Sequence, residues 1–194
     1  MAGMVNFRDF ISSVLRVDRA NAIPERPLRG AILSKDLLAS RAVELADYFS
    51  HVERGGRGAM LRPRFRDNCR VLTGAYFAFA ESARVKEPLG AGAEWLLDNF
   101  HVIDEQVRDI RRDLPRSYYK ALPKLTEGEW AGYPRVYRLV CEFISHTDSI
   151  VDIESLTTFV QAYQTRCELL IGEVWAVPIM LRLAIVENLR RLAE

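Results

Sequence analysis

The chain has 194 residues and a mass of 22.2 kDa, a size for one domain or one with a small extension. Apolar residues make up 49%, charged residues 27%, and 27 bases nearly cancel 26 acids, which excludes the basic surplus expected of a strong nucleic-acid or acidic-membrane binder. Three widely spaced cysteines, Cys69, Cys141 and Cys167, and three histidines form neither a disulfide framework nor a zinc ribbon, leave little for a metal site and fit a reducing compartment.

Residues Met1 to Ala20 lack the continuous apolar stretch of a secretory signal. Phe7, Phe10, Ile11, Val14 and Leu15 give them an amphipathic helical pattern, read as a docking or terminal helix, with membrane-surface binding as the alternative. Pro24 and Pro27 make Asn21 to Arg29 an extended entry, so residues 1–33 read as an N-terminal arm. From Ser34, an expected N-cap, Leu37, Leu38, Val43, Leu45 and Phe49 follow at helical spacing. Gly55, Gly56 and Gly58 break that helix. The stretch Arg54 to Arg66 carries five arginines, at 54, 57, 62, 64 and 66. Its Arg-Gly-Gly tract suits RNA or phosphate, and a flexible basic connector is the preferred reading. A second helix is expected over about Asp67 to Arg84, closed off by Pro88 and Gly90.

The third helix carries the clearest pattern. Leu96, Phe100, Ile103, Val107, Ile110 and Leu114 are spaced 4, 3, 4, 3, 4, which lays one apolar stripe along a charged helix, widened by Trp95 and Leu97. Its carboxylates read as a solvated face rather than acid–base chemistry. Pro115 stops it, and Arg116 to Lys124 is expected to be a short aromatic connection with Tyr118 and Tyr119. After a loop at Gly128 and Gly132, Pro134 opens a helix through Val136, Leu139, Val140, Phe143 and Ile144. Asp152 is the expected N-cap of the next, lined by Leu156, Phe159, Val160 and Tyr163. The last runs from near Gly172 to about Ala193 and is apolar nearly all round, so it is buried or meets a partner. Pro178 sits in its first turns or kinks it. Pro178 and Arg182 also interrupt Val174 to Val186, and no stretch reaches the roughly 20 apolar residues of a membrane span. No strand-like alternation competes. The expected fold is all-α, an irregular bundle of about six to eight helices over residues 34–194, with possible sub-units 34–90 and 91–194.

No Walker loop, dinucleotide-binding glycine motif or nucleophile elbow is present, and no Cys–His pair has family-like spacing. No catalytic residue, metal or cofactor is expected. His146-Thr147-Asp148-Ser149 could ligate a metal or orient an imidazole. The preferred reading is structural, with His146 at a helix's carbonyl end and Asp148 or Ser149 capping the next element. Glu173, near Trp175, is placed against the last helix's N-terminal dipole, with a buried salt bridge to an arginine of another helix as the alternative and catalytic use third. The Asp-x-Asp pair of many glycosyltransferases is absent. Asp152-Ile153-Glu154 is a loose shadow of it that reads better as a helix start.

Several stretches carry a family likeness: Glu94 to His101 through Asp113 to Leu125, Gly132 to Tyr137, His146 to Ser149, Phe159 to Gln164, Ile171 to Ala176 and Glu187 to Ala193. Together they resemble the N-terminal region of cyclic β-1,2-glucan synthases, large bacterial inner-membrane enzymes, over about Pro27 to Glu194. The resemblance implies a parent that uses UDP-glucose to build and cyclise a protein-linked β-1,2-glucan. It implies a transferase domain between membrane helices and a phosphorylase-like domain, none of them in this chain, which is expected to end before any membrane helix. No catalytic residue of that family carries over. The chain departs from the pattern at Leu170, where a capping Thr is expected, at Glu168 in place of Pro, and at Val174 in place of Leu. Loss of that cap costs about 1 kcal/mol and predicts a less sharply started last helix.

The resemblance implies a structural, non-catalytic segment on the cytoplasmic side, at the inner face of the inner membrane. Its partner would be the remainder of the synthase, its transmembrane and transferase domains, or another protein, and not nucleic acid. The alternative is a stand-alone interaction or glucan-binding module. In that case Trp95, Tyr118, Tyr119, Trp130, Tyr133 and Tyr137 would offer ring platforms, with Arg116 and Arg135 as donors; aromatics at helical spacing are more often core.

Overall fold

The computed structural model describes residues 27–55 and 61–193. The expected amphipathic N-terminal helix, and Gly56 and Arg57 of the Arg-Gly-Gly tract, lie outside these residues. Seven helices account for most of the described chain: α1 Lys35–Tyr48, α2 Leu61–Arg84, α3 Ala91–Asp113, α4 Arg116–Ala121, α5 Arg135–His146, α6 Ile153–Gln164 and α7 Ile171–Ala193. The all-α expectation holds. One addition is an antiparallel pair of two-residue strands, β1 Val52–Glu53 and β2 Lys124–Leu125, with Val52 opposite Leu125.

Local chemistry sets several ends. The Ser34 hydroxyl accepts from the Leu37 N–H at 3.5 Å, and the Asp152 carboxylate accepts from the Ser155 N–H at 2.9 Å, so both expected N-caps cap α1 and α6. Asp148 and Ser149 do not cap α6. They take left-handed φ of 49° and 63° beyond α5, where the Ser149 N–H reaches back to the Ile144 carbonyl at 2.9 Å. Gly128 and Gly132, at φ 75° and 84°, turn the chain between β2 and α5.

Two boundaries and one burial differ from the sequence expectation. Residues 61–66 are the first turns of α2 rather than a basic connector. Pro63 is tolerated there because the first N–H groups of a helix have no intrahelical acceptor. Residues 116–121 are helical rather than plain connection. Trp95 does not widen the buried stripe of α3: it is 50% exposed, while Leu96, Ile103, Val107, Ile110 and Leu114 are buried.

α7 is the central element. It packs on α2, α3 and α5, while α1 packs on α6 and α5. Val136, Leu139, Phe143 and Ile144 of α5 are fully buried, as are Ala176, Met180 and Ala184 of α7. The Phe143 and Phe159 rings meet at 5.4 Å and bring α6 onto α5. Tyr76 stacks on Phe100 at 4.2 Å between α2 and α3. Only residues 27–29 of the expected extended entry are described; residues 27–34 carry neither helix nor strand and are bound to the bundle. The Gly30 and Leu33 N–H groups donate to the Ser145 and His146 carbonyls, and the Leu28 N–H donates to Asn188 Oδ1 at 2.7 Å.

Candidate functional site

Burying a charge is tolerable only when it is paired and hydrogen-bonded, so the buried ions of this bundle mark its polar centres. The first is Glu187, on α7 and fully buried. Arg64 of α2 grips it bidentately, Nε at 3.1 and 3.0 Å and Nη2 at 2.6 Å from its oxygens. Asn68 Nδ2 donates to it at 2.5 Å and Arg191 Nε at 2.7 Å. Burial pushes the Glu187 carboxyl up, but the bonds and charges of Arg64 and Arg191, with Asn68, outweigh burial and hold it below the ordinary carboxylate value.

Around this centre the environment stays protonated. Burial pushes the Tyr133 phenol up to about 12 and the Tyr137 phenol well above its ordinary value. It also pushes the Cys141 thiol up to about 12. None of these groups is poised for proton transfer near neutral pH.

The second centre joins α5 to the start of α7. Arg135 Nε and Nη2 lie 3.0 and 2.5 Å from the two oxygens of Glu173, and both residues are buried. Arg135 also donates to Cys167 Sγ at 3.0 Å and to the Glu168 carbonyl at 3.2 Å. Glu173 Oε2 accepts the Leu170 N–H at 3.0 Å. That bond is the Glu half of a capping box, three residues into the helix. It accounts for an ordered start of α7 at Ile171 without a capping Thr, where a weaker start was expected. Glu173 thus realises the buried salt bridge.

The remaining candidates are dispersed. His146 Nδ1 lies 2.7 Å from the Ala31 carbonyl, an acceptor, so Nδ1 carries the proton; its Nε2 is 3.6 Å from Glu142. The ring clamps the entry segment to the end of α5. Asp148 is exposed and faces Arg29 at 3.9 Å. The Tyr118 hydroxyl donates to the Gly172 carbonyl at 2.6 Å. The buried Tyr119 hydroxyl accepts from the Leu61 N–H at 3.4 Å. Trp175 is 74% exposed, and so separated in environment from its near neighbour Glu173. Of the suggested ring platforms, Tyr119, Tyr133 and Tyr137 are core residues. Trp130 lies against Tyr133 and Tyr137, with the Arg138 guanidinium 4.8 Å over its ring.

The centre at Glu187 escaped the sequence reading. Its signal was present: Glu187 and Arg191, four apart on a helix apolar nearly all round, are charges that burial obliges to pair. Nothing local marks Arg64 and Asn68, 119 or more residues away.

Fold and buried ions together define a helical bundle held by internal ion pairs. Among the described residues there is no group of three or more His, Cys, Asp or Glu able to hold a metal. No protein-family model matches the chain. The chain is 36% identical over 166 residues, 86% of its length, to the cyclic beta-(1,2)-glucan synthase NdvB of Rhizobium meliloti (strain 1021). The resemblance to cyclic β-1,2-glucan synthases is therefore borne out, and the chain is related to a segment of such an enzyme. It spans only 6% of that relative's length.

Proposed function

We propose that this chain is a non-catalytic, N-terminal helical segment of a cyclic β-1,2-glucan synthase whose whole makes cyclic glucan from UDP-glucose. Its role is to pack against the rest of that enzyme at the inner face of the inner membrane. The observation that carries this reading is the 36% identity across most of the chain to a small fraction of a very large synthase. Two further observations support it. Both buried ionic centres are closed by their own side chains and so stabilise the bundle. No helix among the described residues is long and apolar enough to cross a membrane, which suits a segment that packs against the enzyme.

The outward side of α7 supports docking. Ile171, Trp175 and Pro178, then Ile185, Leu189 and Leu192, lie along one side of α7 on either side of Arg182, which pairs with α3. Ile171, Trp175 and Leu192 are more than half exposed, an apolar seam of the kind that meets a partner. The isolated chain is expected to bind a hydrophobic dye through this seam, and Ile171→Ser with Trp175→Ser to reduce that binding. A monodisperse monomer that takes up no dye would count against a docking face.

The direct test is an immunoblot of fractionated source cells with antibody to this chain. A membrane-associated band far larger than 22.2 kDa is expected. A soluble band near that mass would overturn the reading and leave a free helical protein.

A further inference from the structure

The arginine-rich stretch noted in the sequence has one residue, Arg64, turned inward to Glu187. Two others, Arg62 and Arg66, face a cavity of about 510 Å³ between α2, α3 and α4. Arg111 of α3 and Arg116 and Lys120 of α4 complete a rim of five cations, and no carboxylate lines the cavity. Its floor is apolar, made of Leu61, Phe65, Ile110, Leu114 and Leu183, with the Tyr119 ring beside them.

The charge arrangement is unfavourable on its own. Arg62 and Arg66 stand four apart on one helix, and Arg116 and Lys120 four apart on another, like-charge spacings that weaken a helix. The nearest acids in sequence are engaged elsewhere: Asp67 pairs with Arg70, and Asp109 and Asp113 pair with Arg112 and Arg182. Among the described residues no ion pair joins Arg62, Arg66, Arg116 or Lys120 to a carboxylate. In a chain of net charge +1, five cations on one cavity concentrate a local positive field that attracts an anion. Guanidinium forks match phosphate oxygens bidentately. The Tyr119 hydroxyl, which accepts from Leu61, keeps a proton to donate. An apolar floor below a cationic rim matches an anion carrying a nonpolar portion.

We propose that this cavity binds a phosphate ester, its phosphate on the Arg62, Arg66 and Arg116 rim and its nonpolar part on the Phe65–Leu114 floor. The same chemistry is met by a soluble phosphate ester and by the headgroup of an anionic phospholipid. This inference does not rest on the synthase assignment, because it follows from the cavity alone.

Two probes distinguish the sources: phenyl phosphate in solution, followed by calorimetry, and vesicles of phosphatidylcholine with one quarter phosphatidylglycerol, followed by flotation. The intact chain is compared with Arg66→Gln/Arg116→Gln and with an equal-charge control, Arg84→Gln/Arg108→Gln, whose residues are exposed and lie off the cavity. Circular dichroism confirms that each folds. Binding of either probe, weakened about tenfold or more in the cavity variant and little changed in the control, supports the site. Phenyl phosphate alone identifies a soluble ester, and vesicles alone identify a lipid headgroup. Absence of binding to both probes, or equal loss in both variants, overturns it.

Discussion

Glu187 shows how much one side chain carries. Its folded carboxyl lies below its ordinary value of 4.5 because Arg64, Arg191 and Asn68 outweigh burial. A folded value below the unfolded one adds stability above the unfolded pKa, and this is lost as pH falls through the folded value. Glu187→Gln would remove the buried carboxylate that pairs the half-buried Arg64 and one bond of Arg191, at a cost of about 3–5 kcal/mol at neutral pH. The gap to the parent should begin to narrow below about pH 4.5, where unfolded chains take up the proton, and close only below the lower folded value, where the folded parent also loses the charge. Urea unfolding of both proteins at neutral and acidic pH measures this, and parallel curves would refute it. Beside this centre, Cys141 is fully buried with its thiol pushed up to about 12, so it should resist a thiol reagent until the chain unfolds. Cys69 and Cys167, both partly exposed, should react first. Mass spectrometry of briefly labelled native protein reads the order, and early Cys141 labelling would contradict the enclosure.

At the scale of elements, α7 shows which parts of the fold were legible. Its length, burial and start near Gly172 follow from apolar density, and α3 follows from its 4, 3 spacing, because both patterns are local. Ser34 and Asp152 were readable for the same reason: a cap needs only its own helix. The start of α2 was not, because Pro63 and the arginines around it look like a loop until Glu187, 123 residues away, supplies a partner for Arg64. Two-residue strands carry no alternation to read, so β1 and β2 had no signal. The exposed side of Trp175 depends on which faces α2, α3 and α5 cover, a tertiary fact. The start of α7 yields a further expectation. Glu173 already supplies one half of a capping box, and Leu170, half-buried and outside the core cluster, occupies the place of the other. Leu170→Thr should therefore add about 0.5–1 kcal/mol. Thermal unfolding of the variant checks it, and a lowered melting temperature would show that the Leu170 side chain contributes packing worth more than the cap.

Across the whole molecule, α5 and α7 form a spine with a pair of helices on each side. α1 and α6 pack together beside α5, joined by Lys35 to Glu154 at 2.7 Å and by Arg41 to Glu142 at 3.3 Å. α2 and α3 pack on α7, joined by Arg64 to Glu187 and by Arg182 to Asp109 and Asp113. The two sides differ in kind. The α1 links are partly exposed, where an ion pair contributes little, and that side rests on apolar contacts such as Leu38, Ala42 and Phe159. The α2 side concentrates its polar attachment in one buried carboxylate, whose loss strands Arg64 at the α2–α7 seam. Local opening follows the weakest set of contacts. Hydrogen exchange should therefore report Glu187→Gln unevenly: amides of α2 and α3 lose protection well before those of α1 and α6, with α5 between them. Uniform loss in all helices would mean that the bundle opens only as a whole and that the Glu187 centre stabilises both sides equally. The cationic cavity lies within the side expected to loosen, between α2, α3 and α4. A phosphate ester bound there should restore protection to α2 and α3 first, by mass action on the closed form.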